Sequence, residues 1–351
     1  MNIKRLEYID FAKGFAILSI VIFHFSQPYV SGIWTKAIMM GGTGAHLFFI
    51  LSGFGLGLSK NISPLNFYKK RYIKVLIPYF IVIIAIFAIN SMYPIYKDNT
   101  LYALFGHLFF YKMFDESIMV SFGYHFWFLS TIIQFYMVFP LLALMREKMS
   151  IIGFIITTLS ISILYWSAIT YFNLANERIF NSFFLQFLWE FSIGMILAKL
   201  YKEKNKLFWV QSNLLLMTVA IIGMLLMAVM ALKGGRVGQT FNDIPASVGY
   251  ASFSAFLFSV ASSSIKPIKK FFIFIGNISY ELYLVHMVVY FILNDMIVEI
   301  IQVKSNIFIS LFLILPLTIW FSSYVHKWFN LLISNINAKK DKSIELNTQP
   351  Q

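Results

Sequence analysis

Apolar stretches of about twenty residues recur from the first residues of this chain almost to its last. Each is long enough to cross about 30 Å of hydrocarbon as an α-helix. In lipid every backbone N–H and C=O must find a partner within the protein, so stretches of this kind fold as helices. The pattern predicts ten spans, near residues 9–28, 38–58, 75–92, 124–145, 150–171, 182–200, 208–232, 246–264, 272–294 and 305–325. The fold class this implies is an all-α, polytopic integral membrane helix bundle over residues 1–334, with no soluble domain left over. Composition agrees: of 351 residues 59% are hydrophobic and 12% charged, against about a quarter charged in soluble domains. Residues 335–351 lose the apolar pattern, which predicts a disordered polar tail.

A net charge of +13 would suit a nucleic-acid binder, but the cations sit in short clusters between apolar runs, where topology accounts for them. One side collects about 21 of the 28 Lys and Arg and the other about 7. The richer side holds Lys4, Arg5, Lys69 to Lys74, Arg146, Lys148, Lys199 to Lys206, Lys266 to Lys270 and the tail. It should be cytoplasmic, which makes this a multi-pass protein of the cell membrane with both termini on the cytoplasmic side. The first apolar run is read as a retained helix rather than a signal peptide, because no small-residue cleavage site follows it and His24 interrupts it. The absence of cysteine excludes disulfides, thiol catalysis and cysteine metal sites. Two long outer loops are expected, residues 93–123 and 233–245. The first carries LYALFGHLFFYKMF, too short to span and suited to an interfacial helix. No internal repeat is detectable.

Ionisable groups inside spans cost several kcal/mol each and so need a partner, a wet cavity or a function. In the first span these are Asp10, Lys13 and His24. Lys13 and His24 are eleven residues apart, about three turns, so they share a face with His24 roughly 16 Å further along the axis. Asp10 is spaced to pair with Lys13. A cation at one end and an imidazole deeper in would let an anionic donor anchor below and a proton move above. A histidine bonded between helices above a snorkelling lysine fits the spacing equally well.

Further along, ISYELYLVHMVVY sets Ser279, Tyr283 and His286 on one helical stripe, with Glu281 on another face. Helix-to-helix hydrogen bonding suits Ser279 and Tyr283 better than chemistry does. Glu190 is a carboxylate near the middle of the sixth span, and His125 and Gln134 border or enter the fourth. All three are candidates for binding substrate hydroxyls, although a solvated structural role also suits His125. His46 joins this set only if its helix converges on the others. His107 and His326 lie near membrane edges and are assigned no role. The cluster Lys69, Lys70, Arg71 and Lys74 has more charge than topology needs and suits the phosphates of a donor such as a coenzyme A thioester. Among outer aromatics, Tyr93, Tyr96, Tyr111, Tyr124, Trp127 and Phe241 offer stacking faces for sugars and equally an interfacial belt.

Five ordered segments, RLEYIDFAKGFAILSIVIFHF, GGTGAHLFFILSGF, FYKKRYIKVLIPYF, HFWFLSTIIQFYMVFPLL and ISYELYLVHMVVY, together resemble the landmarks of the membrane acyltransferase 3 family over residues 5 to about 290. The resemblance implies O-acylation of a surface or exported carbohydrate, with acetyl-CoA or another acyl-CoA as donor substrate and no resident cofactor or metal. It maps the basic residue and histidine of the family's first helix onto Lys13 and His24, with His24 as the catalytic imidazole. It maps the family's paired basic motif onto Arg71 and Lys74, with Lys where Arg is commoner, keeping charge but losing a bidentate fork.

His46 stands where relatives more often have an aliphatic residue. Many relatives carry a soluble hydrolase-like C-terminal domain. This chain has a short tail there, so it is expected to act alone or pass its acyl group to a separate extracytoplasmic partner. The expected catalytic set is His24, Lys13, Asp10 and His286. The donor set is Lys13, Lys70, Arg71 and Lys74, and the acceptor set is His125, Trp127, Gln134, Glu190 and Tyr283. Two rival classes stand beside it: a proton-coupled transporter or polysaccharide exporter, and a glycolipid-binding scaffold without chemistry.

Overall fold

The computed structural model describes residues 6–59, 63–97, 100–204, 212–302 and 304–347. Lys4, Arg5, Lys206, residues 208–211 of the predicted seventh span and residues 348–351 of the tail lie outside them. Among the described residues there are helices and turns but no strand. Ten helical stretches are long and apolar enough to cross a membrane. In order they are Glu7–Tyr29, Ile33–Gly57, Leu65–Met92, Tyr124–Lys148, Ile151–Tyr171, Arg178–Glu203, Asn213–Lys233, Asp243–Ser263, Ser279–Ile300 and Ile307–Ile336, referred to below as the first to tenth spans.

Three boundaries depart from the sequence reading. Residues 272–277, predicted to open the ninth span, belong instead to a separate helix, Lys266–Asn277. It presents lysines on one side and packs its apolar side on the first span, and the chain breaks at Ile278 before the ninth span begins. The second span starts at Ile33 but is interrupted by a tight 3-10 turn, Met40–Thr43. The last helix runs to Asn347, so residues 335–347 are helical where a disordered tail was expected; no Gly or Pro interrupts that segment.

Without a hydrophobic force between helices in lipid, close association depends on small residues that let backbones approach. The second and sixth spans meet this way. A Cβ on Gly53 would lie 1.9 Å from the carbonyl oxygen of Phe191, and one on Gly194 would lie 2.0 Å from that of Ile50. The first span meets the Lys266–Asn277 helix in the same manner, with a Cβ on Gly276 falling 1.8 Å from the Asp10 carbonyl oxygen. Backbone cannot yield as a side chain can, so Gly194→Ala should lower stability by roughly 1–3 kcal/mol. Gly55→Ala, whose methyl would meet nothing within 4 Å, should cost nothing and gain up to about 1 kcal/mol of helix propensity. Thermal melts of the two purified variants check the contrast.

Two spans contain a π turn, Tyr72–Leu76 in the third and Ser310–Ile314 in the tenth. Each precedes a proline by two residues, Pro78 and Pro316. Proline has no N–H to give the carbonyl four residues earlier, and the wider turn absorbs the mismatch. In the third span this re-registers the helix just where Arg71 and Lys74 sit. The segment 101–123 folds over one end of the bundle and opens with a short helix, Leu101–Leu108, that leaves Leu101, Tyr102 and Phe105 exposed. His107 is fully buried there, bonded to the Tyr79 hydroxyl at 2.7 Å and to Ser121 at 2.9 Å.

Candidate active site

At the basic end of the bundle, the first, second, third, fourth, ninth and tenth spans leave a cavity of roughly 810 Å³, in the upper part of the range for small-molecule and cofactor sites. Lys13, Arg71 and Lys74 all line it, as do Asp10, Tyr136 and Tyr280. Lys13 Nζ lies 3.9 Å from Asp10 Oδ1, the i to i+3 pairing the helix geometry requires. Arg71 rests over the rings of Phe67 and Tyr136, at 5.8 and 5.9 Å. The stacking leaves its planar fork free to meet an anion. Lys69 and Lys70 are exposed and do not line the cavity.

The cavity's inner wall includes Phe128, Leu129 and Tyr283. Tyr283 donates its hydroxyl hydrogen to the His125 carbonyl at 2.9 Å and accepts from the Leu129 N–H at 3.2 Å. It thus ties the ninth span to the fourth. Beyond this layer three imidazoles gather from three helices. His125 lies 4.6 Å from His286 between ring centroids, and His286 lies 5.4 Å from His24. His286 Nδ1 sits 2.9 Å from the Tyr283 carbonyl and 3.1 Å from that of Leu282. Carbonyls only accept, so Nδ1 carries the proton and Nε2 presents a lone pair. Its Nε2 is buried with no hydrogen-bond partner.

His125 is turned inward by the sequence before it. Gly123 adopts φ 135°, and a Cβ there would fall 2.6 Å from the His125 ring. The imidazole is buried, not at a water interface as the sequence suggested. His24 is half-buried, with its ring against Phe23 at 4.7 Å. It does not line the basic cavity, so the uninterrupted channel from Lys13 to His24 expected from their shared face is divided by the Phe128–Leu129–Tyr283 layer.

At the opposite end lies a second cavity of roughly 250 Å³, lined by Trp127, Arg178, Asn181, Gln186, His46 and Asp243 among others. Arg178 stacks on Trp127 at 4.2 Å and Tyr124 at 4.8 Å, with its Nη1 donating to Asn181. Glu116, from the capping segment, accepts the N–H groups of Arg178 and Ile179 at 2.7 and 2.8 Å and so holds the start of the sixth span. This cavity lies beside the first span, because Gly42 on its wall faces the Phe23 ring next to His24.

His46 does not join the histidine cluster. It pairs with Glu190, Nδ1 to Oε1 at 2.8 Å. Glu190 is therefore engaged within the bundle, and Gln134 likewise accepts the Phe184 N–H at 3.1 Å. Trp127 is the acceptor candidate that faces the outer cavity.

Four residues passed over in the sequence stand at these sites. Arg178 and Asp243, not singled out by their sequence context, line the outer cavity. His326, dismissed as a membrane-edge residue, lines the basic cavity with its Nδ1 3.0 Å from Glu281 Oε2. That is ion-pair range, without the alignment of a hydrogen bond. Only its spacing one turn from Asn330 hinted at a polar face.

The fourth is Lys112, a residue of the capping segment itself, fully buried against the bundle with its Nζ without a hydrogen-bond partner and 5.9 Å from the Phe126 ring. Burial pushes its ammonium down to about 7 from 10.5. Between those values the unfolded chain binds more protons than the folded one, so stability rises with pH across that window. Lys112→Met should therefore stabilise the protein at pH 7, by on the order of a few kcal/mol. The advantage should shrink toward pH 10, which melts of both proteins at several pH values would measure.

A family model described as acyltransferase domain, that of acyltransferase 3, matches residues 6–327. One relative, from Acidianus two-tailed virus and provisionally named acetyltransferase ORF330, is 26% identical over 291 residues, covering 78% of this chain and 80% of its own length. No solved structure matches the chain.

Proposed function

This chain belongs to the acyltransferase 3 family, and on that premise we propose that it moves an acetyl group from cytoplasmic acetyl-CoA to a hydroxyl of a surface or exported carbohydrate. Ten spans are an even number, so crossing ten times would return the chain to its starting side, and the cation imbalance supports a reading with both termini in the cytoplasm. The observation that carries the reading is the basic cavity. It gathers Lys13, Arg71 and Lys74 from two different helices around a space large enough for a cofactor-sized donor. It reaches inward to Tyr283, which is bonded to the His125 backbone beside the histidine cluster.

In this mechanism the donor's phosphates meet Arg71, Lys74 and Lys13, and its pantetheine arm points toward His24. The thioester reaches the imidazole when the layer of Phe128 and Tyr283 moves aside. The acceptor approaches from the outer cavity, where Trp127 and Arg178 offer a flat face and donors for sugar hydroxyls. His24 then takes the proton of the attacking hydroxyl as the new C–O bond forms and the C–S bond breaks, and the departing thiolate receives that proton. In the covalent variant His24 itself attacks the thioester carbonyl and expels the thiolate, then yields the acyl group to the sugar hydroxyl, whose proton passes to the thiolate. Asp10 holds Lys13 in place and His286 offers its Nε2 lone pair within the cluster.

Mass spectrometry of envelope glycans from cells with and without the protein tests the reading. An acetyl increment on one glycan, dependent on the protein, is the expected result. Unchanged glycans, together with flux of a polysaccharide into donor-free proteoliposomes, would move the chain to the exporter class.

A further inference from the structure

His46, Glu190 and Asp243 come from the second, sixth and eighth spans, and one donor atom of each lies within 4.8 Å of the others. Glu190 is fully buried and Asp243 nearly so, and neither carboxylate is paired with Lys or Arg among the described residues. Arg178, in the same cavity, is turned instead onto Trp127 and Tyr124. Two carboxylates out of water stay ionised only beside a compensating cation.

The hydrogen-bond pattern indicates which kind. His46 Nδ1 is bonded to Glu190 Oε1 at 2.8 Å. With Glu190 as carboxylate, that nitrogen carries the proton and Nε2 presents a lone pair. This Nε2 faces Asp243 Oδ1 at 3.8 Å, lone pair toward lone pair. The other oxygen of Asp243 accepts from Gln186 Nε2 at 2.6 Å, which fixes the carboxylate's direction. Two buried oxygens beside the pair, Glu190 Oε2 and Gln186 Oε1, have no hydrogen-bond partner. A proton on Nε2 would serve Asp243 alone and leave those two unsatisfied, whereas a dication offsets both carboxylates.

We propose that His46 Nε2 and Asp243, with Glu190 orienting the imidazole from behind, hold a first-row divalent cation such as Zn²⁺ or Mn²⁺ at the wall of the outer cavity. One imidazole among oxygen donors suits these ions better than Mg²⁺ or Ca²⁺. Metal–ligand bonds of about 2.0–2.2 Å need the two donors only slightly closer than they stand. A carboxylate behind a ligating histidine and an amide behind a ligating carboxylate form the usual second layer of support. The remaining positions open into the cavity, to water or to the oxygens of a bound ligand.

The test uses the full-length, tag-free chain in lipid nanodiscs, stripped with EDTA and titrated separately with ZnCl₂ and MnCl₂, with bound metal counted by mass spectrometry after desalting. One ion per chain is expected, with retention lost in His46→Gln and Asp243→Asn, affinity lowered about 10- to 100-fold in Glu190→Gln, and no change in Asp295→Asn. Pulsed electron paramagnetic resonance of the Mn²⁺-loaded wild type should show coupling to one imidazole nitrogen, a readout that does not depend on any variant folding. A wild type that retains no ion after desalting overturns the proposal and leaves the pair to share protons. Equal affinity in the His46 and Asp243 variants, or Mn²⁺ without nitrogen coupling, overturns it as well.

Discussion

Replacing His24 with alanine should lower acyl transfer by about 10²- to 10⁴-fold, the range a lost histidine base typically costs, while the amount of protein in the membrane stays the same. The packing argument supports the second half of that expectation. The ring is half-buried, lies against Phe23 and His286, and sits on a helix face whose core contacts come from Val21 and Phe25. Removing it leaves those contacts in place. A parallel incubation with labelled acetyl-CoA and no acceptor separates the two chemical routes. Label retained on wild-type protein but not on His24→Ala points to the covalent intermediate, and label on neither points to general-base catalysis. Wild-type rates in His24→Ala would remove the catalytic assignment.

The second large effect should fall on the donor. Arg71→Ala and Lys74→Ala should each raise the KM for acetyl-CoA by roughly 10- to 100-fold with kcat within a few-fold, since a charge-assisted hydrogen bond contributes about 1.5–3 kcal/mol. Arg71→Lys should fall between, because it keeps the charge and loses the planar fork and its seat on Phe67 and Tyr136. Lys70→Ala, at an exposed position away from the cavity, should have little effect. Acetyl-pantetheine, which lacks the nucleotide phosphates, supplies the control: its KM should be indifferent to Arg71 and Lys74. Equal sensitivity of both donors would mean that the cations shape the bundle rather than bind phosphate.

Much of this architecture was readable in one dimension, because a lipid solvent leaves a chain few options. Runs of apolar residues long enough to cross must be helices, and so all ten spans lie close to where hydropathy put them. The pairing of Asp10 with Lys13 also follows from helical pitch alone. Misreadings came where periodicity is silent. The Lys266–Asn277 helix is apolar on one side only, and it merges in a hydropathy average with the span that follows. The helical segment 335–347 is too polar to give an apolar period.

Which helices become neighbours was decided by tertiary structure. Sequence showed six histidines without indicating that His24, His125 and His286 would meet while His46 would be drawn to Glu190 and Asp243. Nor did it show that a layer holding Tyr283 would stand between the basic cavity and His24. Helical period and apolar length are local properties, legible within about twenty residues. Helix contacts in lipid depend on glycine seams such as Gly53 with Gly194, whose fit to a backbone elsewhere in the chain no local pattern encodes.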